Sequence, residues 1–87
     1  MPDAAEPARG SQTLARGLSA LEAVAAAPNG LTVQQVADHV GVHRTISYRL
    51  LNTLTGFRLI AKGDDGRYRP AAALAVLILT FGPISGA

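Results

Sequence analysis

The segment Leu31 to Leu54, LTVQQVADHVGVHRTISYRLLNTL, constrains this chain more than any other. It holds two runs of apolar residues at helical spacing on either side of Gly41, and the first is too short to stand alone. Thr32 followed by Gln35 forms a capping box, in which hydroxyl and amide satisfy the free backbone groups of a helix start. Val33, Val36, Ala37 and Val40 then make an inward stripe about two turns long. Gly41 ends the helix, because glycine adopts the left-handed backbone that reverses a chain at least cost. A small residue at Ala37, where two helices touch, and a glycine in the turn mark a helix-turn-helix.

The second helix of the pair is predicted from Arg44 to Leu54. With Leu50, Leu51 and Leu54 inward, a rotation of about 100° per residue puts Thr45, Tyr48, Arg49 and Asn52 on the opposite face. Either Ile46 or Ser47 completes the core side, and both choices leave those four outward. No acidic residue interrupts this face. Its chemistry suits a DNA major groove and the phosphates beside it. Arg49 can reach guanine or phosphate, Asn52 can pair with adenine, and Thr45 and Tyr48 can donate to phosphates. His43 and Arg44 stand at the helix start, where free N–H groups add to the attraction for an anion. An ordinary solvated helix face is the bland alternative.

Around this pair the chain divides simply. Residues 1–10, rich in Pro and Ala, are expected as a disordered arm. A first helix is predicted from Ser11 as N-cap, with Leu14, Leu18, Leu21 and Val24 or Ala25 on one face, until Pro28-Asn29-Gly30 stops it. After the helix pair, Leu59–Lys62 and Arg67–Pro70 flank the turn Gly63-Asp64-Asp65-Gly66 and predict a β-hairpin. Tyr68 points inward in this reading, while Lys62, Arg67 and Arg69 are available to phosphates. Asp64 and Asp65 at the tip argue against deep groove insertion. The expected domain therefore spans 11–70. A C-terminal helix and tail over 71–87 is apolar all round and needs a cover, for which self-association is the simplest source.

Charge follows the same division. Residues 1–40 hold Arg9 and Arg16 against Asp3, Glu6, Glu22 and Asp38. Residues 41–70 hold Arg44, Arg49, Arg58, Lys62, Arg67 and Arg69 against Asp64 and Asp65 alone. A basic segment confined to one part of an 87-residue chain is the footprint of a phosphate-backbone binder. The chain has no cysteine, which removes disulfides, a thiol nucleophile and a cysteine zinc site. His39 and His43 lie on either side of the turn, so a shared metal is not expected. No phosphate-cradling glycine loop and no carboxylate pair outside the hairpin turn point to an enzyme, and no cofactor is expected. The start carries no signal-peptide pattern, and Ala71–Phe81 is about half a membrane span, so a cytoplasmic protein is expected.

In this order and spacing the residues resemble the N-terminal DNA-binding domain of IclR-type transcriptional regulators, over about residues 11–80. The resemblance is carried by Ala15 to Glu22, Leu31-Thr32 with Val36-Ala37, and Gly41-Val42. It continues through Arg44-Thr45, Arg49-Leu50-Leu51, Thr53-Leu54 and Gly66-Arg67-Tyr68-Arg69. It implies a mainly α fold with a small hairpin: a winged helix-turn-helix of three core helices plus wing, followed by a C-terminal helix. It further implies a homodimer through residues 11–27 and 71–81 that binds palindromic operators on double-stranded DNA. Three departures stand out. Ser47 replaces a small β-branched residue, which predicts a soft spot in the core. Arg58 replaces a glycine at the exit of the recognition helix, where Gly56 is expected to end the helix sooner. The family's effector-binding domain is absent from this chain, so no small-molecule effector site is expected. A winged helix serving as a protein-interaction module, docking through the apolar C-terminal helix, is the competing reading.

Overall fold

The helix expected after Thr32 forms over Val33–Val40 and is closed at both ends by the predicted devices. Thr32 Oγ1 accepts the Gln35 N–H at 3.2 Å, and Gln35 Oε1 accepts the Thr32 N–H at 2.9 Å. Gly41 lies in the left-handed region at φ 80°, and the Val42 N–H reaches back to the Ala37 carbonyl at 3.0 Å. The Gly41 N–H bonds the same carbonyl at 2.8 Å, a helix end that only a residue tolerant of positive φ supports without strain. The structure, a computed structural model, describes residues 7–81. Their order is α1 (Pro7–Ala25), α2 (Val33–Val40), α3 (Arg44–Gly56), β1 (Ile60–Lys62), β2 (Tyr68–Pro70) and α4 (Ala72–Phe81). Residues 1–6 of the expected arm and the tail at 82–87 lie outside the described residues.

α1, α2 and α3 pack on one another around Ala20, Val24, Val36, Leu51 and Leu54, and the hairpin closes this core with Ile60 and Tyr68. Ser47, rather than Ile46, completes the inner face of α3. It is fully buried and donates to the Val33 carbonyl at 2.9 Å. The soft spot expected there is therefore a satisfied contact that ties α3 to the first turn of α2.

α1 departs from expectation at its N-terminal half. The helix reaches back to Pro7, through the last four residues expected as arm, with a kink at Ser11 (φ −129°, ψ 31°). Ser11 is thus a break inside the helical stretch and not its beginning. The expected inward face holds only toward the C-terminal end. Val24 is buried with Ala20 and Ala23, but Leu14 and Leu18 are 62% and 51% exposed. The core of so small a chain reaches only the later turns of α1, and the earlier leucines overhang it.

The hairpin pairs Ile60 with Pro70, Ala61 with Arg69 and Lys62 with Tyr68. Leu31 adds a separate antiparallel bridge that the sequence did not suggest, exchanging backbone bonds with Tyr68 at 2.7 and 3.1 Å. The wing is thereby stitched to the segment that starts α2.

The exit of α3 also differs from expectation. Gly56 is helical, and Arg58 takes the left-handed position at φ 62°. The Leu59 N–H bonds the Leu54 carbonyl at 3.1 Å and the Arg58 N–H bonds the Thr55 carbonyl at 2.9 Å, so the helix ends in a Schellman motif. The Arg58 carbonyl then accepts the Ala73 N–H at 3.1 Å, and the Leu59 carbonyl accepts the Ala71 N–H at 2.9 Å. These two bonds seat the start of α4. A side chain at positive φ carries a cost that glycine avoids. Arg58→Gly should therefore stabilise the domain by about 0.5–1 kcal/mol. A urea midpoint at or below that of the parent protein would contradict this account of the helix end.

Candidate nucleic-acid interface

α3 presents the face that its sequence predicts. Leu50, Leu51 and Leu54 are buried, while Arg44, Thr45, Tyr48, Arg49 and Asn52 are exposed. None of these exposed residues is acidic. Among the described residues the one ion pair lies in the wing, so no carboxylate neutralises Arg44 or Arg49. The face joins two cations to groups that can donate or accept hydrogen bonds along one side of a 13-residue helix. Such a surface can meet both base edges and phosphates.

His43 has a role that the sequence did not show. It is the N-cap of α3, and its Nδ1 accepts the Thr45 N–H at 3.1 Å. In that bond Nδ1 acts as the acceptor, which leaves Nε2 as the ring's N–H donor. The ring satisfies one free backbone donor of the helix start and remains exposed, so it can also meet an anion there.

In the wing the expected cations separate into two kinds. Lys62 is exposed and has no carboxylate partner among the described residues. Arg67 and Arg69 are only half-exposed, and both are engaged within the protein. Arg69 forms a two-pronged pair with Asp65 and also donates to the Asn29 carbonyl at 3.1 Å. Arg67 Nη1 lies 3.4 Å from the Gly30 carbonyl. The Arg69 guanidinium, helped by the Arg67 backbone N–H, holds the Asp65 carboxyl well below the usual carboxylate range. Burial pushes the Tyr68 phenol above its ordinary value, and the nearby Tyr48 phenol adds to the effect. In the hairpin register Lys62 is directly opposite Tyr68 and so shares its side of the sheet.

A groove of about 850 Å³ runs between α1 and the end of α3. Leu14, Leu18, Leu50, Leu54, Phe57 and Leu59 line it, and Phe57 is 70% exposed. No helix of the described residues is long and apolar enough to cross a membrane.

The His43 cap can be tested apart from any ligand. His43→Ala should cost about 1 kcal/mol of stability, and His43→Ser, which restores a capping oxygen, should recover most of it. Equal urea midpoints for the parent protein and His43→Ala would show that the ring does not cap the helix.

Comparison with known proteins places this geometry in a family. The model of the IclR helix-turn-helix domain matches residues 13–64. The HTH-type transcriptional regulator TtgV of Pseudomonas putida is 36% identical over 72 residues, which are 82% of this chain and 28% of TtgV. The IclR family transcriptional regulator from Brucella abortus superposes with a TM-score of 0.71 at 23% identity, over 85% of this chain and 30% of that one. The Agobacterium tumefaciens repressor BlcR gives a TM-score of 0.69 at 24% identity, over 82% and 28%. The chain spans less than a third of the length of each of these proteins. The two structures share the winged-helix fold, and the family match extends from α1 through the first arm of the wing. By that match, the chain belongs to the IclR helix-turn-helix family.

Proposed function

We propose that this domain binds double-stranded DNA in a sequence-specific manner and regulates transcription, acting as a homodimer on a palindromic site. The observation that carries the proposal is the exposed face of α3, where Arg44, Thr45, Tyr48, Arg49 and Asn52 stand together without an acidic residue. In this reading α3 enters the major groove. Arg49 reads guanine or grips a phosphate, Asn52 pairs with adenine, and Thr45 and Tyr48 donate to the backbone. His43 and Arg44 attract a phosphate to the helix start, and Lys62 meets the backbone from the wing. The names of TtgV, a transcriptional regulator, and BlcR, a repressor, accord with this role.

Dimerisation is supported by apolar surface that one copy leaves uncovered. Leu14 and Leu18 of α1 are exposed, and so are Val76, Leu77 and Leu79 of α4, at 58%, 46% and 84%. Large apolar side chains left exposed on two helices of so small a domain suit an association site. α4 could equally dock another protein, and this second reading drops the requirement for DNA.

Selection of bound sequences from random DNA should enrich a palindrome. Against the selected site, Arg49→Ala should cost about 1–3 kcal/mol of binding. Unchanged affinity would remove Arg49 from the reading face, and no retention on DNA at low salt would favour the protein-docking alternative. Association is a separate measurement. Sedimentation at micromolar concentration should give the mass of two chains, and a single-chain mass would refute the dimer.

A further inference from the structure

We infer that Arg67 and Arg69 are positioning residues that fasten the wing to the loop between α1 and α2, with Asp65 as the anion that Arg69 serves in place of a DNA phosphate. Arg69 Nη2 lies 2.8 Å from Asp65 Oδ2, and Nη1 lies 3.2 Å from Oδ1. This is the forked geometry with which a guanidinium would grip a phosphate. Nη2 donates again to the Asn29 carbonyl at 3.1 Å, so three bonds already hold the group. The carboxylate is fixed in turn, because Oδ1 also accepts the Arg67 backbone N–H at 3.0 Å.

The close passage of the guanidinium depends on Gly63. A Cβ at that position would lie 2.8 Å from Arg69 Nη1 and 3.0 Å from Asp65 Oδ1. A glycine at the turn thus leaves room for the pair to form across it. Arg67 extends the attachment. Its Nη1 lies 3.4 Å from the Gly30 carbonyl and 3.5 Å from Gln35 Oε1, the oxygen that also caps α2 by accepting the Thr32 N–H. Together with the Leu31–Tyr68 bonds, the two arginines join the wing to the residues that begin the helix-turn-helix.

An exposed ion pair alone contributes little to stability. Here the pair is linked through Arg69 to the Asn29 carbonyl, in a loop about 40 residues earlier in the chain, so losing it loosens a junction between elements. Lys62 is the contrasting case, since it is exposed and engaged in no such bond among the described residues.

The inference rests on the proposed DNA binding only for the second of its two tests. In thermal unfolding of the full chain, Arg69→Gln and Asp65→Asn should each lower the melting temperature by about 1–5 °C. The double variant should lie close to the lower single variant, because the two changes remove one interaction. Additive losses, or no loss for Arg69→Gln, would overturn the pairing. On a random-sequence duplex, Lys62→Gln should reduce the slope of log affinity against log salt by about 0.9, the value for one phosphate contact. Arg69→Gln should reduce it by less than half as much. A reduction equal to that of Lys62→Gln would make Arg69 a phosphate contact and defeat the inference. Failure of the parent protein to bind the duplex at low salt would count against DNA binding, and the melting data would still decide the role of Arg69.

Discussion

α2 depends on its neighbours to exist at all, and the rest of the domain is arranged to supply them. An eight-residue helix is marginal in water even for favourable sequences, because nucleating the first turn costs more than a few further bonds return. The capping box at Thr32 and Gln35 closes one end and the left-handed Gly41 closes the other. Val36 and Ala37 are then buried against α1 and α3. Ser47 adds a bond from α3 to the Val33 carbonyl, so the two helices are tied by a polar contact inside the core as well as by packing. This fixed crossing keeps the outer face of α3 open to solvent. The exposure of Arg49 and Asn52 is a consequence of how α2 is held.

Periodicity and turn chemistry disclose the centre of this fold well. The outward set Thr45, Tyr48, Arg49 and Asn52 follows from helical rotation once Leu50, Leu51 and Leu54 are inward, and the structure has each of them exposed. Both ends of α2 are likewise legible, because capping is a local property of a few adjacent residues. Legibility fails where the deciding partner is distant. Leu14 and Leu18 have the spacing of a core face, but periodicity cannot say how far a small core extends along a helix. Leu31 pairs with Tyr68 across 37 positions, with no local sign that it is a strand. Ser47 appears as a defect until its acceptor, Val33, is brought beside it.

The end of α3 shows a local rule overridden. Gly56 is the expected stop, yet the chain places Arg58 at positive φ and continues the helix through the glycine. What the later stop gains is in the neighbourhood. Leu59 follows at the position where a Schellman motif sets an apolar residue against the last turn, and it packs on the core cluster that includes Leu54. The same turn directs two carbonyls at the N–H groups of Ala71, just before α4, and Ala73 in its first turn, which lack helical partners of their own. A stop at Gly56 would move both carbonyls. The strain at Arg58 is thus offset by bonds that only tertiary structure reveals.

Charge counted along a chain differs from charge presented at a surface. Residues 41–70 carry six cations, and by sequence five of them, all but Arg58, are candidates for contacts to DNA. Folding makes them unequal. Arg44, Arg49 and Lys62 stand exposed, whereas Arg69 faces Asp65 and the Asn29 carbonyl and Arg67 faces the Gly30 carbonyl. The distinction follows from strand alternation. Arg67 and Arg69 flank the inward Tyr68 and so emerge together on the other side of the hairpin, over the loop that leads into α2. Lys62, opposite Tyr68, emerges on the side that faces the helices. In so small a domain one hairpin must both brace the helix pair and leave a cation for any polyanion, and the alternation of its strands assigns these two tasks to opposite faces.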